Sequence, residues 1–156
     1  MRPASFAAVA LAALLITAHA CDDENGLAER LEDAHERWRE NGPPDYEMVL
    51  FRGCFCPEDG RGPVVVTVVD GRVESRVYVE GAGDVREDLE PYFPDVEGLF
   101  EIAAEAARDA DRVEAEFHAE LGHPVQLTID WEEQMTDEEV DYRVQRLTPL
   151  PDPPME

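Results

Sequence analysis

The side chains with reactive chemistry gather in a few places. Cys54 and Cys56 flank Phe55 inside the stretch Arg52 to Pro63, RGCFCPEDGRGP. Residues two apart in a strand point to the same face. At about 3.3 Å per residue their Cα atoms stand about 6.6 Å apart, the upper edge of disulfide geometry. A bond between the two therefore needs a bend at Phe55, and Gly53 and Pro57 are where a bend is expected. Three readings stay open: a structural clip that ends the strand, a redox-active pair, and a metal or free dithiol site. Against redox work, no helix is expected directly after the pair to lower a thiol pKa, and the neighbouring Glu58 and Asp59 act to raise it.

Other clusters are weaker. Cys54, Cys56, His118 and His123 are a ligand set that zinc or copper accepts, but the two histidines sit around a turn of their own and read as partly exposed polar residues. Asp130, Asp137, Glu138 and Glu139 are calcium candidates in an acidic stretch that lacks the spacing of a calcium-binding loop. No nucleophile elbow, zinc-protease, phosphate-loop or dinucleotide motif occurs. Ser75 lies mid-strand between Glu74 and Arg76, with no histidine beside it in sequence. No catalytic residue and no cofactor is expected.

The start of the chain predicts location. Arg2 precedes the apolar run Ala7 to Ile16, which is too short for a bilayer span of about 20 residues. Ala18 and Ala20 fit the cleavage site of a secretory signal peptide over residues 1–20. The small Ala20 directly before Cys21 also fits lipid attachment at Cys21, although Ala18 stands where a leucine is usual. Residues 21–26 then read as an acidic tether. The expected location is the periplasm or outer surface, with the membrane reached through the lipid. With Cys21 acylated, Cys54 and Cys56 remain as an even pair in an oxidising compartment.

Composition excludes one partner class. The chain has 37 acidic residues, 13 basic ones that are all arginine, and a net charge of −24. Such a surface repels nucleic acid and anionic headgroups. A protein or cell-wall partner is the class that remains.

The elements that must position these groups follow from periodicity. Leu27, Leu31, Ala34 and Trp38 predict a helix over Leu27 to Asn41, with Asn25 as its cap and Gly42-Pro43-Pro44 as its stop. Strands are expected at Asp45 to Cys56, Pro63 to Asp70 and Arg72 to Glu80, with Asp70-Gly71 as a two-residue hairpin turn. A loop from Gly81 to Pro94 leads to a second helix over Val96 to Ala110. Strands at Arg112 to Leu121, Val125 to Trp131 and Asp141 to Leu147 follow, the last preceded by a helical turn capped at Thr136. Residues 149–156 read as a disordered proline-rich tail. The prediction is one α+β domain over residues 27–148. It is an antiparallel sheet with two helices on one face, in the order α-β-β-β-α-β-β-β. Pro63 to Asp70 and Pro124 to Asp130 each enter a strand after a glycine-containing turn and leave it at an aspartate, the pattern of a tandem repeat.

Three pieces of this pattern resemble a bacterial family, domain of unknown function 6174. They are Tyr46 to Pro57, YEMVLFRGCFCP; Pro63 to Val73, PVVVTVVDGRV; and Gly122 to Asp130, GHPVQLTID, followed by Thr136 to Tyr142. The resemblance spans about Leu27 to Leu147. It implies the fold and an envelope location and assigns no activity. The expectation is a non-enzymatic binding or structural lipoprotein; the alternative is a metal-binding or thiol-active envelope protein using Cys54 and Cys56.

Overall fold

The computed structural model describes residues 23–151, apart from 82, 133 and 136. The predicted signal peptide, Cys21 and residues 152–156 lie outside the described residues. Helix α1 (Asp23–Asn41) leads into strands β1 (Tyr46–Cys54), β2 (Val64–Val69) and β3 (Arg72–Tyr78). Helix α2 (Val96–Asp109) leads into β4 (Arg112–Phe117), β5 (Pro124–Asp130) and β6 (Glu139–Pro149). The α+β class and element order are as the periodicity predicts.

Each element forms for a local reason and is fixed by burial. Leu27, Leu31, Ala34 and Trp38 of α1 are buried, as are Leu99, Phe100, Ala103 and Ala106 of α2. Asp95 caps α2 by accepting from the Gly98 amide at 2.8 Å, which satisfies one of the free donors of its first turn. In β1, Tyr46, Met48 and Leu50 alternate inward against Val68, Val66 and Val64 of β2. Each such aliphatic side chain contributes about 1.5–3 kcal/mol on burial. Asp70 and Gly71 both take positive φ, forming the tight turn between β2 and β3.

The six strands form one antiparallel sheet in the order β3-β2-β1-β6-β5-β4. Two three-strand meanders thus meet edge to edge through β1 and β6, the first and last strands among the described residues. The central pair is long, from Tyr46 opposite Pro149 to Cys54 opposite Val140. The helices lie antiparallel on one face: Val96, at the start of α2, meets the Tyr46 hydroxyl, and Arg30, near the start of α1, donates to the Ala115 carbonyl. The other face carries Glu47, Val49, Phe51, Val65, Thr67, Asp141 and Arg143.

Several expectations need correction. Residues 23–26, read as tether, belong to α1; acidic residues suit a helix start, where the dipole is positive. Strand β6 continues through Thr148 and Pro149, and the Leu150 amide donates to the Asp45 carbonyl, so the tail's first residues belong to the sheet. Glu139, the end of the helical turn expected before the last strand, is already in β6, and the described residues ahead of it form turns (Met135 to Glu132, Glu138 to Met135); the expected cap, Thr136, lies outside the described residues. The two α-β-β-β halves share element order but not placement. The first strand of the first half, β1, is central, whereas the first strand of the second, β4, is at an edge. No rotation relates them while both helices keep to one face.

Candidate functional site

The loop from Cys54 to Pro63 folds back over the end of β1. The Gly62 amide donates to the Arg52 carbonyl, and the Gly60 carbonyl accepts from Arg52 Nη1 at 2.8 Å. This fold brings Cys54 and Cys56 together as a disulfide, with Cα atoms 5.3 Å apart. That is shorter than the about 6.6 Å of a flat strand, because β1 ends at Cys54 and the chain turns at Phe55.

Arg52 is the residue that sequence reasoning missed. It is only 8% exposed and shares the helix-side face of β1 with Cys54. Its Nη1 lies 2.8 Å from Cys54 Sγ and 3.5 Å from Cys56 Sγ. Its guanidinium carbon sits 4.5 Å from the centroid of the Tyr92 ring, a cation–π arrangement. Its Nε has no partner, and no carboxylate pairs with it among the described residues. The signal was the two-residue spacing that puts Arg52 on the same face as Cys54; nothing local pointed to Tyr92.

The acidic neighbours face elsewhere. Asp59 is bridged by Arg86 at 2.8 Å, its carbonyl accepts from the Tyr78 hydroxyl, and Glu58 is exposed. Burial, and secondarily the Asp59 charge, hold the Tyr78 hydroxyl above its usual pKa. A cleft of about 440 Å³ beside the loop is lined by Glu58, Asp59, Arg61, Pro63, Tyr78 and Glu80.

The proposed ligand sets do not assemble. His118 and His123 stack on each other at 4.8 Å, but they stand toward the Tyr46 end of the sheet, where His123 also meets Trp38. Cys54 is at the opposite end, aligned through Val140 with Ile129 of β5. His123 is buried, not partly exposed: it is 4% accessible, and desolvation, reinforced by His118, lowers its pKa to about 4. Asp130 and Glu139 pair in register on the uncovered face, while Asp137 and Glu138 are exposed in the loop. No group of three or more metal-type ligands converges among the described residues, so Asp137 and Glu138 do not complete a set with Asp130 and Glu139. Ser75 faces Thr67 across β2 and β3, at the sheet edge away from the histidines.

Among the described residues four large apolar side chains are exposed: Phe55 (81%), Val79 (49%), Tyr92 (44%) and Met135 (44%). All four are at the Cys54 end. Phe55 follows β1, Val79 donates to the Pro63 carbonyl, Tyr92 stacks on Arg52, and Met135 lies in the turn before β6 begins beside Cys54. Among the described residues no helix is long and apolar enough to cross a membrane.

No curated protein and no solved structure matches this chain. A family model described as a family of unknown function, DUF6174, matches residues 30–149, from the first turns of α1 to the end of β6. That match takes in both helices, the whole sheet and the Cys54–Cys56 loop, and the chain therefore belongs to the DUF6174 family.

Proposed function

We propose that this protein is a binding module of the bacterial cell envelope, exported by residues 1–20 and anchored by lipid on Cys21. In this reading it docks through the Cys54 end of its sheet onto a protein whose surface is apolar at the centre and basic at the rim. The observation that carries the reading is the gathering of Phe55, Val79, Tyr92 and Met135 at one end of the domain. Exposed apolar residues scattered singly are ordinary; four gathered at one end of a strongly acidic domain mark an interaction site. Exposed Glu58, Glu80, Glu132, Asp137 and Glu138 surround them, which favours a basic partner over an anionic lipid surface.

The anchor and the docking end coincide. Helix α1 starts two residues after Cys21, and its first turns lie at the Cys54 end, where Leu27 lines a cavity with Arg112 and Val113. Lipid on Cys21 would hold this end near the bilayer, so the partner is a protein at the membrane surface.

Two substitutions test the proposal in the native cell. Cys21→Ala is expected to move the protein from the membrane to the soluble fraction; unchanged membrane retention would remove the lipid anchor. A photo-reactive residue at position 55 is expected to give one membrane-associated protein adduct whose yield falls as salt rises. The same residue at position 70, at the far end of the sheet, is expected to give none. Equal adducts at 55 and 70, or adducts to lipid alone, would reject the docking surface.

A further inference from the structure

A buried cation without an anion is costly, and Arg52 is such a cation. It is 8% exposed, and its polar partners are one carbonyl and the two sulfurs of the Cys54–Cys56 bridge. Of the two loop carboxylates, Asp59 is already paired with Arg86, and Glu58 is exposed to solvent. Reduction of the bridge would supply the missing anion, because a thiolate on Cys54 would lie against Nη1, now 2.8 Å away. We infer that Cys54–Cys56 is a thiol–disulfide exchange site that oxidises thiols of another protein or peptide, with Arg52 stabilising the Cys54 thiolate as leaving group. This activity is separate from the docking role and does not depend on it.

The geometry assigns the two sulfurs different parts. Cys54 Sγ is engaged by the guanidinium, whereas Cys56 Sγ is 3.5 Å from it and packs beside Gly60; Cys56 is half-buried and stands in the chain between two exposed residues, Phe55 and Pro57. A substrate thiolate attacks Cys56 Sγ, the S–S bond breaks, and its electron pair passes to Cys54 Sγ beside Arg52. The second thiolate of the substrate attacks the substrate sulfur of this mixed disulfide and expels Cys56. The substrate dithiol becomes a disulfide and loses two protons. Cys56 takes one, and the other goes to solvent while Cys54 stays ionised. A stabilised thiolate favours the reduced form, so the bridge acts as an oxidant. Tyr92, stacked on Arg52, holds the guanidinium in place and is a positioning residue.

The test reads the thiols directly. The purified protein is reduced, and iodoacetamide modification of Cys54 and Cys56 is followed by peptide mass against pH, which keeps Cys21 apart. The apparent pKa of Cys54 is expected at least about one unit below the usual 8.5 for a free cysteine, giving about tenfold more thiolate near pH 6.5. In glutathione buffers, Arg52→Met is expected to need about tenfold more reducing conditions for half-reduction than the wild type, and Arg52→Lys to recover part of the difference. A wild-type Cys54 pKa at or above 8.5 would overturn the inference even if Arg52→Met does not fold. Equal glutathione midpoints for the wild type and a folded Arg52→Met would overturn it too.

Discussion

The guanidinium of Arg52 lies 4.5 Å over the Tyr92 ring, although one residue is near the end of a central strand and the other is in the segment that joins β3 to α2. This contact closes the helix-side wall of the Cys54–Cys56 loop. Arg52→Ala would leave the Gly60 carbonyl without its donor and open a void under Tyr92, and is expected to cost about 2–3 kcal/mol. Tyr92→Ala removes only the stacked ring and is expected to cost about 1 kcal/mol. Urea unfolding of both variants measures the order; a larger loss for Tyr92→Ala would mean that the ring, not the hydrogen-bonded cation, holds the loop.

Gly122 is where the β4–β5 turn presses on α1. Its φ is +86°, and a Cβ there would stand 2.2 Å from the Ala34 carbonyl oxygen and 2.8 Å from the Trp38 amide nitrogen. Both the backbone conformation and the space demand glycine. Gly122→Ala is expected to destabilise the domain by at least about 3 kcal/mol, since neither helix backbone atom can move aside cheaply. A thermal unfolding midpoint within a degree of the wild type would show that the turn can lift off the helix.

Burial of His123 makes stability depend on acid. In the folded state its pKa falls from 6.5 to about 4, first through desolvation and then through the charge of His118. Folded His123 is therefore neutral where the unfolded chain binds a proton, so stability is full above pH 6.5 and declines as pH falls toward 4. Below that both states are protonated and the loss is complete, at up to about 3 kcal/mol. Urea unfolding of the wild type and His123→Gln between pH 7 and pH 4 isolates this share, because carboxylate titration is common to both. Parallel curves would mean that His123 titrates normally.

Self-repulsion sets a salt dependence. With 37 acidic residues against 13 arginines, most carboxylates have no counter-charge. Ions screen exposed charges over about 10 Å at 0.1 M and about 3 Å at 1 M. The melting temperature is expected to rise by several degrees from low salt to 1 M sodium chloride. A flat or falling curve would show that repulsion is not a significant cost of folding.

The local features were legible in the sequence because local physics produces them. Apolar spacing at Leu27, Leu31, Ala34 and Trp38 marked α1, alternation at Tyr46, Met48 and Leu50 marked β1, and Asp70-Gly71 marked the hairpin. The cysteine spacing showed where a bend was needed, and the bend is there. Which strands meet was decided only by tertiary structure. Pairing of β1 with β6 joins residues about 100 apart, and alternation alone does not say which partner a strand takes. The same holds for the site. The two-residue spacing holds Arg52 to the face of Cys54, but only the fold withholds a carboxylate from it, lays Tyr92 over it and turns Asp59 toward Arg86. His123 read as a turn residue and became core because Gly122 lets the turn close on α1 beside Trp38. Periodicity reports which face of its own element a side chain takes; burial and charge pairing depend on what a distant segment brings to that face.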